Sequence, residues 1–185
     1  MNIRKLAFVV LTLGLVLIVS GSFSLFLQGL REDKQQILNR IDDVGDEFEV
    51  FSANTSIFEE YRESLYEEIL EGVVCDRLKD NAKKVNNKLS NYENLVDELD
   101  SNVLKLNKLC DDVYYPDSNT NNKCSNYKVI YEQVVNYFVS DIANYNKNVK
   151  QCNKSITDNK ISIYKTNKKY IDYNNDKKYD GKDVK

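Results

Sequence analysis

The sequence predicts an all-α fold, in which an N-terminal transmembrane helix precedes an elongated antiparallel helical bundle, a long hairpin with heptad seams. Three observations predict this class. The 185 residues include one Pro and six Gly, so long stretches contain no helix breaker. A run near the N-terminus carries no charged residue. Farther along, apolar residues recur at spacings of three and four, which is the period of a helix.

Residues 6–30 form the uncharged run and are predicted to span a membrane after a short basic flank, residues 1–5. At about 1.5 Å per residue the run makes a helix of about 37 Å, which exceeds the roughly 30 Å hydrocarbon core of a bilayer. A cleaved signal peptide is the alternative, because Val19, Ser20 and Gly21 are small residues that a signal peptidase accepts. The run is longer than the roughly 7–15 apolar residues of such a signal, which favours a retained single-pass anchor.

The charges beside the anchor predict its orientation. Arg4, Lys5 and the free amine precede the anchor, whereas Arg31 and Lys34 follow it. Because basic residues favour the cytoplasmic side, the N-terminus is expected in the cytoplasm and the helical body outside it. The lipid bilayer is therefore the first predicted partner.

Residues 31–163 are predicted to form the bundle. Residues 33–44 continue the anchor helix, Gly45 ends or bends it, and the cap-forming residues 52–56 start a new helix. Two later stretches carry seams of the coiled-coil type. The first seam comprises Leu78, Ala82, Val85, Leu89, Tyr92, Val96, Leu99, Val103, Leu106, Cys110 and Val113. The second seam comprises Tyr127, Tyr131, Val134, Phe138, Ile142, Tyr145, Val149, Cys152 and Ile156.

One loop separates the two seams. Residues 111–123 contain the only Pro together with three Asp, three Asn, one Ser and one Thr, which is the composition of a turn. The two long helices are therefore predicted to run antiparallel. Residues 164–185 contain few apolar side chains, and this segment is predicted to be a disordered tail.

The composition argues against several classes of function. Without any His, the chain lacks the usual general base near neutral pH and the commonest metal ligand. It has no CxxC pair and no phosphate-binding glycine loop. A net charge of -3 offers no field to attract nucleic acid. We therefore expect no enzymatic activity, no cofactor, no metal site and no nucleic-acid partner.

Three segments resemble motifs of the LemA family. Residues 145–153, YNKNVKQCN, are similar to its YN-x-x-V-x-x-YN signature, with Cys152 in place of the second Tyr. Residues 115–117, YPD, match its YP-D, and residues 39–43, NRIDD, are similar to the NRV-D segment that follows the anchor in that family. The resemblance implies a bacterial, membrane-anchored antiparallel helical bundle whose family has no firmly assigned activity.

The four cysteines allow one intrachain pairing scheme. Cys75 and Cys110 lie about 52 Å apart along one helix, and Cys124 and Cys152 about 42 Å apart along the other, so neither pair can form a bridge. Bridges across the hairpin would join Cys110 to Cys124 and Cys75 to Cys152. The second bridge must absorb a difference of about 10 Å between the two arms. The alternative is four reduced thiols buried in the core.

Function is expected to reside on the surface of the bundle. Tyr145 and Val149 face the core, whereas Asn146 and Asn153 lie on an adjacent stripe. The two asparagines are therefore predicted to be an interaction face for an unknown partner protein or for a second copy. The predicted function is a non-catalytic, membrane-anchored scaffold or interaction protein of LemA-like type. The alternative is a helical ligand-binding or sensory module coupled to a partner through the anchor helix.

Overall fold

The computed structural model describes residues 3–70, 75–111, 115, 117–156 and 160–170, with side chains from residue 28 onward. Three long helices account for most of these residues: α1 (Ile3–Leu65), α2 (Cys75–Cys110) and α3 (Ser118–Ser155). A π-helical turn, Tyr66–Leu70, directly follows α1. No strand occurs in the ranges given, and the predicted all-α helical bundle is confirmed.

The chain divides into two compact units, residues 1–42 and residues 43–185. In the first unit, the side chains described are those of residues 28–42, and most of them are exposed. The predicted membrane span, residues 6–30, lies almost wholly outside the side chains that the structure describes. Among the described residues, no helix has both the length and the apolar character needed to cross a membrane.

In the second unit, α1 contributes a full arm to the bundle. Val44, Phe51, Phe58 and Leu65 are seven residues apart, so they share one face of α1, and each is at most 2% exposed. Phe58 stacks on Tyr92 of α2 with the ring centroids 4.9 Å apart. The bundle therefore has three helical arms, where the sequence predicted a hairpin of two.

Gly45 was predicted to end or bend the helix, and a helix end there is wrong, because α1 runs through this residue. The helix start predicted at residues 52–56 is wrong for the same reason. The hydroxyls of Thr55 and Ser56 donate to carbonyl oxygens four residues earlier, at 2.9 and 3.2 Å. This back-bonding satisfies polar side chains inside a helix, where a cap would have used them to start one. The packing of the apolar face outweighs the two local signals.

The α2 and α3 helices form the antiparallel pair, with their predicted seams turned inward. The buried seam residues of α2 are Leu78, Val85, Leu89, Tyr92, Val96, Leu99, Val103 and Leu106. Those of α3 are Tyr127, Tyr131, Val134, Phe138, Ile142, Tyr145, Val149 and Cys152. Val113 lies outside the described residues.

The connection between α2 and α3 is shorter than the predicted loop of residues 111–123. Helix α3 begins at Ser118, because the Asp117 carboxylate caps it by accepting a hydrogen bond from the N–H of Thr120 at 2.6 Å. That N–H holds the pKa of Asp117 below its ordinary value. The cap brings the polar residues that follow into the first turns of the helix.

Two disulfides join the pair of helices. Cys110 is bonded to Cys124 beside the connection, with a Cα–Cα distance of 5.7 Å. Cys75, the first residue of α2, is bonded to Cys152 near the end of α3, with a Cα–Cα distance of 5.4 Å. These are the two pairings that the sequence allowed.

A gradual change of register accommodates the unequal arms. The hydroxyl of Tyr127 donates to Asn107 at 2.6 Å, whereas that of Tyr145 donates to Asn86 at 3.4 Å. The partners on α2 are farther apart in sequence than the two tyrosines of α3. The expected difference between the arms is thus partly spread along the hairpin before the chain reaches Cys75.

Candidate functional site

Residues 160–170, here called the strap, lie along the groove between α2 and α3. Part of this segment was predicted to belong to a disordered tail beginning at residue 164, and that prediction is wrong as far as residue 170. Ile161 is 6% exposed and Tyr170 is 1% exposed. Residues 171–185, the rest of the predicted tail, lie outside the described residues.

Two asparagines of α3 bind the main chain of the strap. The Asn153 amide donates to the carbonyl of Ile161 and accepts from its N–H, both at 2.8 Å. The Asn146 amide makes the same pair of bonds to Tyr164, at 3.0 and 2.8 Å. Each side chain thus pairs with one strap residue as a neighbouring β-strand would.

The spacing of the two asparagines matches an extended peptide. Asn146 and Asn153 are seven residues apart on a helix, a rise of about 10.5 Å. Ile161 and Tyr164 are three residues apart, which an extended chain covers in about 10 Å. Because Asn146 binds the later strap residue, Tyr164, and Asn153 binds the earlier one, Ile161, the strap runs antiparallel to α3. The predicted interaction face formed by the two asparagines is occupied by a segment of the same chain.

An acidic side chain on α2 holds the other edge of the strap. The Glu93 carboxylate accepts hydrogen bonds from the Tyr164 hydroxyl at 2.5 Å, the Thr166 hydroxyl at 2.9 Å and the Asn167 N–H at 2.7 Å. Burial, and next the hydrogen bond to Glu93, raise the pKa of Tyr164 above its ordinary value. The neutral phenol is the form that fits between the strap and α2.

The end of the strap is held by aromatic packing and charge. Tyr170 meets Phe138 edge to face at 5.3 Å, and its hydroxyl donates to Asp97. The ammonium of Lys169 lies 2.7 Å from a carboxylate oxygen of Asp97 and 3.5 Å from one of Asp100. Two acidic residues of α2, Asp97 and Asp100, therefore pair with a hydroxyl and a cation of the strap.

A cavity of about 560 Å³ opens beside the strap. Aliphatic side chains dominate its wall, and Ile163 of the strap is 42% exposed there. The cavity is lined by Val139, Ile142, Ala143, Asn146, Ile163, Tyr164, Lys165 and Thr166. The strap thus satisfies its main chain in the groove while leaving apolar space unfilled.

A second polar cluster lies where the three helices meet. The Asp141 carboxylate accepts from Arg62 Nε at 2.7 Å and Nη2 at 3.3 Å, and from the Tyr92 hydroxyl at 3.0 Å. The Arg62 guanidinium also lies 4.1 Å from the centroid of the Tyr137 ring. The hydrogen bond to Asp141 raises the pKa of Arg62, and burial raises that of Tyr92. These contacts occupy the carboxylate, so the cluster holds the helices together.

Sequence reasoning missed both the strap contacts and the Arg62–Asp141 pair. Arg62 lies between Phe58 and Leu65 at steps of four and three, so a charged residue occupies a core position of α1. That position was a usable signal for a buried ion pair. Within the described residues, no group of His, Cys, Asp or Glu is arranged to hold a metal ion.

Comparisons with protein-family models, with curated proteins and with solved structures find no match. The resemblance to the LemA family therefore stays a prediction that rests on the three motifs. Within residues 145–153, Tyr145 and Val149 are fully buried. The asparagines of the same segment bind the strap, so that motif both packs the core and binds an extended chain.

Proposed function

We propose that this chain is a single-pass membrane protein whose disulfide-braced bundle acts as an interaction scaffold outside the cytoplasm. The pairing of all four cysteines is the observation that carries the proposal. Disulfides persist in oxidising compartments and are rare in the cytosol. The uncharged run of residues 6–30 and the basic residues before it supply the anchor and its orientation.

The surface beside the strap supports a role in interaction. The buried Asp141 carboxylate is already paired with Arg62, which leaves the cavity beside the strap as the better place for a partner. Apolar surface next to polar anchors is typical of sites that bind other proteins. The function proposed is therefore recruitment of a protein to the membrane surface, without chemistry on it. A LemA-like role remains part of this proposal.

The cavity also favours the second candidate, a ligand-binding or sensory module. Its volume of about 560 Å³ falls in the range of small-molecule sites. Its aliphatic wall suits an apolar ligand, which would lie between α3 and the strap.

Membrane retention and the state of the cysteines test the proposed anchor and the proposed oxidising compartment. The full-length protein should stay with membranes after alkaline carbonate washing, and the mature chain should start at Met1 or Asn2. Alkylation of unreduced cells should leave all four cysteines unlabelled, because each is bonded. A mature start near Ser22, or thiols that label without reduction, would contradict it.

A photocrosslinking amino acid tests the interaction role. Placed at Ala143, which is exposed on the α3 wall of the cavity, it should yield one protein adduct of constant size. Placed at Val129, which is 64% exposed on α3, it should not yield that adduct. A small-mass adduct at Ala143 alone would favour the ligand-binding candidate. Equal protein adducts at both positions would contradict a specific surface.

A further inference from the structure

We infer that the groove between α2 and α3 is a peptide-binding site for an extended segment of a partner protein, which displaces the strap. The partner segment carries a large apolar side chain where the strap has Ile163. The inference rests on the proposed interaction function for its use in the cell. The contacts of the strap show what the groove recognises.

The α3 side of the groove recognises main chain. Asn146 and Asn153 bond only to N–H and C=O groups of the strap, so they accept any non-proline residue at those two places. Their spacing selects an extended backbone, because a helical one would bring the paired residues too close together. This is the way in which sites that bind peptides as added strands gain affinity without sequence restriction.

The α2 side restricts the sequence. Glu93 and Asp97 accept hydrogen bonds from tyrosine hydroxyls, and Asp97 also pairs with the ammonium of Lys169. A partner segment that places a tyrosine where the strap has Tyr164 and a cation where it has Lys169 keeps these contacts. Charge complementarity therefore favours a basic, tyrosine-containing segment.

The cavity explains why a partner can displace the strap. Ile163 borders a cavity of about 560 Å³ and is 42% exposed, so the strap leaves apolar surface open to water. A tryptophan at that position would cover the wall formed by Val139, Ile142 and Ala143. Burial of that surface is a gain that the strap does not provide, while the main-chain bonds are the same for both.

A tryptophan peptide tests the inference, since the chain itself contains no Trp. The probe is a synthetic peptide of residues 160–170 with Ile163→Trp, titrated into the full-length protein in lipid nanodiscs. Binding should shift the tryptophan emission to shorter wavelength. A full-length variant with Ile161→Asp and Tyr170→Ala, whose own strap is weakened, should bind the peptide roughly tenfold more tightly than the wild type. The unsubstituted peptide should compete more weakly than the tryptophan peptide.

N-methylated peptides are the matched controls for main-chain recognition. Methylation of the amides of residues 161 and 164 removes the two donors to the asparagines and keeps every side chain. It should lower the affinity by at least roughly tenfold. Methylation at the nitrogen of Thr166, whose peptide group bonds to neither asparagine, should have a much smaller effect. Equal loss from both peptides would overturn recognition through the asparagines.

Hydrogen exchange on the wild type covers the case in which the strap variant fails to fold. A saturating amount of the tryptophan peptide should speed exchange of the protein's own Ile161 and Tyr164 amides, because the strap is displaced. Unchanged exchange together with absent binding would overturn the inference. A dimer in light scattering whose strap amides stay protected would also overturn it, since a second copy would then fill the groove. Failure of peptide binding with membrane retention intact leaves the proposed function standing.

Discussion

Asp141 shows how a charge is kept inside this bundle. Removing a carboxylate from water costs several kcal/mol unless charge and hydrogen bonds replace the lost hydration. Here the two nitrogens of Arg62 and the hydroxyl of Tyr92 supply that replacement from two different helices. The side chain of Arg62 is 28% exposed, which lowers the cost of burying the guanidinium. One carboxylate of α3 thereby sets the position of α1 and α2.

Removing the cation of this pair should destabilise the bundle more than removing a surface cation. Arg62→Leu is expected to lower the free energy of unfolding by about 2–3 kcal/mol, because Asp141 is left buried with one donor. Arg77→Leu, at an exposed position of α2, should change it by at most about 0.5 kcal/mol. Urea unfolding followed by circular dichroism measures both. Similar losses in the two variants would mean that the pair does not join the helices.

The asparagine clamps should control the strap locally. Replacing both Asn146 and Asn153 by Ala removes four hydrogen bonds, each worth about 1 kcal/mol. Exchange of the Ile161 and Tyr164 amides should then become at least roughly tenfold faster, as hydrogen exchange with mass spectrometry would show. Asn144→Ala, exposed on the same helix, is the control and should leave both amides protected. Unchanged protection in the double variant would contradict the clamp.

Helix α1 shows what the sequence could predict at the scale of an element and what it could not. The seams of α2 and α3 follow directly from apolar spacing, because no turn residue interrupts them. In α1 the seven-residue spacing of Val44, Phe51, Phe58 and Leu65 was equally present. Gly45 and the Ser and Thr residues near position 55 are turn and cap signals. They predicted an end or bend of the helix and a new helix start, so the continuous face was not recognised. Local propensity contributes less to the stability of α1 than burial of its continuous apolar face.

The contacts of the strap could not be predicted from the sequence. Its bonds to α3 use its backbone, so they leave no pattern of side chains. Its sequence from Lys160 to Tyr170 has only three aliphatic or aromatic side chains beyond Tyr170 itself, and it shows no helical period. The match between two asparagines seven residues apart and an extended chain exists only after α3 has formed. Composition alone therefore indicated disorder from residue 164 onward.

Truncation of Phe58 tests whether α1 belongs to the bundle. Phe58 is fully buried and stacks on Tyr92, so Phe58→Ala should lower the free energy of unfolding by about 3–5 kcal/mol. The neighbouring Ile57 is 48% exposed, and Ile57→Ala should cost at most about 0.5 kcal/mol. Denaturant unfolding of both variants gives the comparison. Equal, small losses would mean that α1 does not pack on α2.

At the largest scale, disulfides and aromatic contacts stabilise the core of the second unit, residues 43–185. Geometry along the helices limited the cysteines to one pairing scheme, but reduced thiols were an equally consistent alternative from sequence alone. Both bridges join α2 to α3, one beside the connection and one near the far end. Between them the core is rich in tyrosines whose rings are buried and whose hydroxyls reach polar partners.

These tyrosines should make the protein sensitive to alkaline pH. Burial is the leading cause that raises the pKa of Tyr61, Tyr92, Tyr127, Tyr145 and Tyr164. Because a phenol loses its proton to become charged, a raised pKa in the folded state means that folding favours the neutral form. The resulting stability is fully present below the unfolded pKa of about 10 and is lost as the pH rises through the folded pKa values.

The urea midpoint should therefore fall between about pH 8 and about pH 11, and Tyr92→Phe should make that fall shallower. Tyr92 is fully buried with its hydroxyl on Asp141, so ionisation there would place two negative charges together in the core. The matched control is Tyr66→Phe, because Tyr66 is 44% exposed. Lysine deprotonation is common to all three proteins, so the difference in slope isolates the buried phenol. A fall equally steep in the Tyr92→Phe variant and the wild type would show that the core tyrosine does not carry the effect.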